Sequence, residues 1–119
     1  MRFIVIAAAM LASLAGAEAQ SAGDWVLARW KNGQHWFPGV VQSVSGDRLI
    51  IAYDDGEREA LYLNSVRPYN WGVGSRVECN FRGSGWYPGR IIALRGAALS
   101  IAYDDGENEN TRTGRCRSN

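Results

Sequence analysis

Ile51-Ala52-Tyr53-Asp54-Asp55-Gly56-Glu57 returns unchanged fifty residues later as Ile101-Ala102-Tyr103-Asp104-Asp105-Gly106-Glu107. Working outward, Trp36-Phe37-Pro38-Gly39 recurs as Trp86-Tyr87-Pro88-Gly89 at the same offset, and Gly46 recurs as Gly96. Further upstream the offset is 51, with Val26, Ala28 and Trp30 matching Val77, Cys79 and Phe81. The one-residue change falls between Lys31 and His35, opposite Arg82 to Gly85, where both copies are rich in turn residues. Matches this dense at a fixed period mark the duplication of one structural unit.

Each unit reads as short strands separated by turn chemistry. Trp25 to Trp30 alternates, and Lys31-Asn32-Gly33 turns the chain. Phe37 to Val44 makes a second strand, turned by Ser45-Gly46-Asp47. In the third, Leu49, Ile51 and Tyr53 share one face, with Ile50 and Ala52 on the other. Asp54-Asp55-Gly56 is a hairpin signal, because Gly takes the positive φ such turns need and Asp caps the turn backbone. Glu57 to Leu61 forms a fourth strand, and Leu63-Asn64-Ser65-Val66-Arg67 a short turn with a fifth. Pro38 and Pro88 fall at strand starts, where a missing backbone donor is tolerated. Five strands in about 50 residues bury too little as an open sheet, so the unit is expected to curl into a small barrel and gain from a neighbour.

The first stretch of the chain has a different character. Arg2 supplies a positive start, Phe3 to Leu14 is almost wholly apolar, and Ala17-Glu18-Ala19 has the small-x-small form of a cleavage site. The expected organisation is a signal peptide over 1–19, a barrel over 20–68, a linker over 69–73 and a second barrel over 74–119. Cleavage near Ala19 implies a secreted or periplasmic protein with no membrane span left; the alternative is an uncleaved anchor. Tyr69 and Trp71 in the linker are expected to pack between the barrels. The formal net charge of +1 argues against a dedicated nucleic-acid binder.

Together, the aromatic at Trp30 or Phe81, the Trp-aromatic-Pro-Gly segment and the Tyr-Asp-Asp-Gly-Glu hairpin resemble Tudor and Agenet-type modules. These belong to the Tudor "royal" superfamily of SH3-like barrels. Leu63-Asn64-Ser65-Val66-Arg67-Pro68 also resembles that family's closing segment, whereas Thr111-Arg112-Thr113-Gly114-Arg115-Cys116-Arg117 departs from it by losing the apolar residues. The resemblance spans essentially the whole chain after residue 19. It implies an all-β protein: two tandem SH3-like (Tudor-like) five-stranded barrels after an N-terminal signal helix.

Tudor modules of the lysine-reading kind hold a methylated cation among aromatic rings and an acid. Position by position, the resemblance implies walls at Trp30, Phe37 and Tyr53 with Asp55 in the first copy. In the second it implies Phe81, Tyr87, Tyr103 and Asp105. Ring faces attract a diffuse cation and the carboxylate adds a charge-assisted contact. Glu57 and Glu107 stand where some relatives carry a further aromatic, which implies a more open and more acidic cage. The same rings also suit a barrel core, so both roles remain open at this stage.

In an SH3-like barrel the first and last strands are neighbours. Cys79 takes the place of Ala28 on the first strand and Cys116 that of Val66 in the closing segment. The resemblance therefore implies a disulfide that staples the second copy's polar end, worth roughly 3–4 kcal/mol by loop entropy. Two free thiols or a metal site are the alternatives, although there is no second pair to complete a zinc set. His35, the single histidine, is replaced by Gly85 in the second copy, and neither repeat pairs it with a Cys or Ser nucleophile. Asp54–Asp55 and Asp104–Asp105 are expected to be solvated turn caps. Arg112, Arg115 and Arg117 are expected to be screened by Asp104, Asp105, Glu107 and Glu109. No catalytic residue, metal or cofactor is expected. The readings carried forward are a non-enzymatic module for a cationic side chain or a protein or peptide of unknown identity, an envelope scaffold without a small ligand, and a weak nucleic-acid binder. Neither the ligand nor the oligomeric state is legible at this stage.

Overall fold

The computed structural model describes residues 20–119; the expected signal helix and the cleavage site lie outside the described residues. Ten strands follow in chain order. The first five are β1 (Trp25–Ala28), β2 (Phe37–Ser45), β3 (Arg48–Tyr53), β4 (Arg58–Tyr62) and β5 (Val66–Pro68). The second five are β6 (Arg76–Asn80), β7 (Trp86–Arg95), β8 (Ala98–Tyr103), β9 (Asn108–Arg112) and β10 (Cys116–Arg117). They form two antiparallel five-stranded sheets with the same order, β4-β3-β2-β1-β5 and β9-β8-β7-β6-β10. The first strand of each unit pairs with its short closing strand, so the all-β tandem barrel reading holds.

The internal symmetry extends to irregularities. β2 bulges between Val41 and Ser43, and β7 between Ile91 and Ala93. Bulges bend a strand, which lets one long β2 or β7 serve both halves of a small barrel. Leu49, Ile51 and Tyr53, with Leu99, Ile101 and Tyr103, face inward as the period of two requires. The glycine after each Pro has a steric reason. A Cβ on Gly39 would lie 2.6 Å from Ile51 Cγ2, and one on Gly89 2.6 Å from the Ala102 carbonyl oxygen.

Closure differs between the copies. In the first barrel Leu61, Val66 and the partly buried Leu63 join the core beside Ala28. In the second, Thr111 and Thr113 replace the leucines, and Cys79 and Cys116 form a disulfide across a register pair equivalent to Ala28 and Val66. Thr113 is fully buried and its Oγ1 has no hydrogen-bond partner among the described residues.

One expectation from periodicity needs correction. β1 does not alternate between core and solvent: Val26, Leu27 and Ala28 are all 0% exposed. Val26 and Ala28 face their own core, while Leu27 belongs to the core cluster of the second barrel. Both faces of β1 are covered because the barrels pack side by side. Tyr69 and Trp71 help set that arrangement, with centroids of Trp25 and Tyr69 5.2 Å apart and of Tyr69 and Trp71 5.8 Å apart. Trp71 is buried in the second core, and its Nε1 donates to Ser118 Oγ at 3.3 Å.

The C-terminal segment forms the other half of the contact. Trp36 and Ser118 make an antiparallel bridge with N–H···O distances of 2.8 and 2.9 Å. Arg112 reaches across to Asp54, Nη2 to Oδ1 at 2.7 Å and Nε to Oδ2 at 3.0 Å, and the Gly114 N–H donates to the same Oδ2 at 3.2 Å. Two expectations therefore fail. Asp54 is not a solvated cap, because the closing turn of the second barrel sits on it. The tail arginines are not screened by their own hairpin either: Arg112 pairs with Asp54, Arg117 with Glu78, and Arg115 donates to the Asn80 carbonyl. Asp104 binds Arg76 instead, through two contacts of 2.7 Å.

Candidate functional site

The aromatic walls are set by a device that occurs in both copies. A 3-10 turn follows β1 and β6, and its second residue, Lys31 or Arg82, has φ of 51° or 49°. A side chain in that left-handed region costs roughly 1–2 kcal/mol. A carboxylate on the fourth strand of each unit offsets the cost. Glu59 Oε2 accepts the Lys31 N–H at 2.8 Å while its Oε1 accepts the Tyr53 hydroxyl at 2.8 Å. Glu109 holds Arg82 N–H at 3.2 Å and the Tyr103 hydroxyl at 2.6 Å. One carboxylate thus fixes the turn that presents Trp30 or Phe81 and the tyrosine opposite. Burial first, then the hydrogen bond from the hydroxyl to Glu59 or Glu109, pushes the Tyr53 and Tyr103 phenols well above their ordinary value of 10. Both therefore remain neutral rings at neutral pH.

Trp30, Phe37 and Tyr53 line a hollow of about 320 Å³, Tyr53 from within the first core and only 8% exposed, and Asp55 and Glu57 of the hairpin border it. Trp86 of the second barrel forms another wall. The rings meet edge to face, with Trp30 and Phe37 centroids at 6.2 Å and Phe37 and Trp86 at 6.0 Å. Edge-to-face contact keeps the rings from covering one another's faces. Two faces already carry a cation of this chain: Lys31 Nζ lies 4.9 Å from the Trp30 centroid and the Arg117 guanidinium 4.1 Å from that of Trp86. Glu57 Oε1 accepts Trp30 Nε1 at 2.8 Å, and Asp55 Oδ1 accepts the Glu57 N–H at 2.9 Å. Each acid is thereby oriented while keeping a second oxygen for another partner. Gly114 also borders the hollow, in contact with Asp54.

Phe81, Tyr87, Tyr103 and Asp105 line a second hollow of about 280 Å³, together with Ser84 and Glu107. Phe81 packs edge to face on Tyr87 and Tyr103 at 6.3 and 5.4 Å. No residue of the first barrel contributes to it. All eight residues picked from the resemblance therefore fall in one of two hollows, four in each. Trp86, Glu59 and Glu109 were missed. The two glutamates lie at matching positions of the repeat, a signal that was present. Trp86 gave no such signal, because its repeat partner Trp36 lines neither of these two hollows and bridges to Ser118 instead. Among the described residues no group of three or more metal-ligating side chains occurs, and no helix is long and apolar enough to cross a membrane.

Barrel order, closing strands and hairpins define a tandem of Tudor/Agenet-like barrels. The chain is similar in structure to the tandem Tudor domains of Crb2, with 13% identity over 84% of this chain and 80% of that one and a TM-score of 0.57. It is also similar to tandem Agenet domain 3-4 of ADCP1, at 19% identity over 87% and 83% of the two chains and a TM-score of 0.39. AGD34 of Arabidopsis thaliana AGDP1 matches at 20% identity over 86% and 84%, with a TM-score of 0.40. At these identities the likeness is one of fold. No protein-family profile and no curated protein matches the chain.

Proposed function

We propose that this protein is a non-enzymatic binding module that takes a cationic side chain, of the methylated Lys or Arg class, into the hollow between its barrels. One observation carries the reading: four rings from two barrels, Trp30, Phe37, Tyr53 and Trp86, converge beside Asp55 and Glu57 on one solvent-open hollow. Rings held edge to face around carboxylates suit a desolvated, diffuse positive charge better than a hard ion. A scaffold without a small ligand would instead spread its rings as a patch. The second hollow has three rings and stands as a weaker site of the same class. We propose as well, from Arg2, the apolar run Phe3 to Leu14 and the small-x-small Ala17-Glu18-Ala19, that the protein is exported, with a mature chain that starts near Gln20 in the periplasm or outside the cell; N-terminal sequencing of the protein from its cells tests that.

Binding is tested by titrating the oxidised protein with trimethyl-lysine, dimethyl-arginine and unmodified basic peptides, read by tryptophan fluorescence and NMR. Saturable shifts at Trp30 and Trp86 are expected. Trp86→Ala should weaken binding about tenfold, the equivalent of one desolvated cation–π contact. Absence of any saturable shift, or affinity unchanged in both Trp30→Ala and Trp86→Ala, refutes the pocket.

A further inference from the structure

The hollow between the barrels contains a positive group of its own. Arg117 borders it, and the guanidinium carbon lies 4.1 Å from the Trp86 ring centroid. Its Nε donates to Glu78 Oε1 at 2.9 Å, which fixes the side chain in a partly exposed position. Nη1 and Nη2 make no hydrogen bond among the described residues. The matching residue of the first copy, Arg67, stacks on Trp36 at the same 4.1 Å and donates from Nη2 to the carbonyl oxygen of Asn119 at 3.3 Å. Arg67 thus uses one Nη and leaves its Nε buried without a partner among the described residues, whereas Arg117 uses Nε and keeps both Nη atoms for another acceptor.

A site for a cation alone gains nothing from a guanidinium at its margin, since like charges repel. Carboxylates on one side and a planar fork on another suit a ligand that carries both signs. We infer that the inter-barrel hollow takes a small zwitterion, an alkylated ammonium with a carboxylate a few bonds away, seating the ammonium among the rings beside Asp55 and Glu57 and the carboxylate on Arg117. A free betaine-type molecule and a C-terminal methylated lysine share this chemistry. The inference rests on the cation reading above. The second hollow has no basic side chain on its lining and serves as an internal contrast.

The test compares alkylated ammonium ligands with and without a carboxylate. Choline is set against glycine betaine and γ-butyrobetaine, and a trimethyl-lysine peptide ending in a free carboxylate against its C-terminal amide, by calorimetry and by NMR shifts at the Trp30 and Trp86 indoles. The carboxylate form is expected to bind about tenfold tighter, as one bidentate charge-assisted contact at a part-exposed site allows. If the betaines show the gain, the ligand is a free small molecule; if only the peptide does, it is a chain terminus. Arg117→Gln should abolish the preference and, by removing a like charge from the hollow, raise choline affinity rather than lower it. Arg117→Lys, which retains the charge and can still pair with Glu78, should keep part of it and covers the case in which the glutamine variant fails to fold. Equal affinities within each pair, or a preference that survives Arg117→Gln, overturn the inference while the cation site stands. Failure of every cation to bind overturns both.

Discussion

Replacing Cys79 with Ala and Cys116 with Val copies into the second barrel the pair that the first barrel uses at the same register, Ala28 opposite Val66. The substitution keeps a packed contact and removes only the cross-link, so the stability change reads the cross-link alone. With the cysteines 37 positions apart in sequence, loop entropy sets the contribution of the cross-link at about 4 kcal/mol. A change of this size is a large share of what a small domain has in total. Guanidinium unfolding followed by tryptophan fluorescence is the assay, with Trp71 and Trp86 reporting on the second barrel. The expected result is an early transition from the second barrel, with the inter-barrel hollow lost in the same step. The apolar ledger gives an independent estimate. Leu61 and Leu63 of the first barrel are Thr111 and Thr113 in the second, and burying a leucine is worth about 1.5–3 kcal/mol. Leu63 is only partly buried and each threonine keeps a methyl, so the two losses together are of the same order as what the disulfide supplies. Adding Thr111→Leu and Thr113→Leu to the uncross-linked variant should recover most of its stability. An uncross-linked variant that unfolds with the wild-type midpoint refutes this reasoning.

Thr113→Val should raise stability by about 1 kcal/mol, seen as a higher melting temperature, because it removes a buried hydroxyl without a partner. Gly114→Ala places a Cβ 2.6 Å from Asp54 Cβ, so the closing turn must lift off the first hairpin. NMR should then show the Trp30 and Trp86 signals shifting together while the second hollow is unchanged. Stability should fall as pH rises above 10, the ordinary phenol value. Tyr53 and Tyr103 titrate above it only in the folded state, so the unfolded chain releases those protons first. Alkaline melts of Tyr53→Phe should show a smaller fall than wild type.

The repeat made the barrels legible because each strand boundary is marked twice, and a turn that is ambiguous once is settled by its copy. The hairpin aromatics and acids were legible for the same reason. What the period cannot reveal is anything that breaks it. Leu27 reads as the outward residue of an alternating strand, and only a neighbouring barrel makes it fully buried. Asp54 and Asp104 are identical in sequence, yet one is clamped across the interface by Arg112 and Gly114 and the other pairs with Arg76 in its own barrel. Trp86 escaped notice because its role belongs to the other copy's site.

The inequality of the two hollows follows from three differences in the closing segments. Asn64 of the first copy is Gly114 in the second, Pro68 is Ser118, and Val66 is Cys116. Glycine lets the second closing turn rest against Asp54, where any Cβ would collide. Serine has the N–H that donates to the Trp36 carbonyl at 2.9 Å, a bond that proline cannot make. The disulfide secures this segment to β6 without apolar side chains, so its other groups are available for the neighbour. Only the second copy can therefore dock its tail on the first, and the contact does not run in the reverse direction. Trp86 and Arg117 are carried to the first hollow by that docking, while the second hollow receives nothing in return. The repeat therefore carries one composite hollow and one simple one, and the residues that make the difference lie in the closing strands rather than among the aromatic walls.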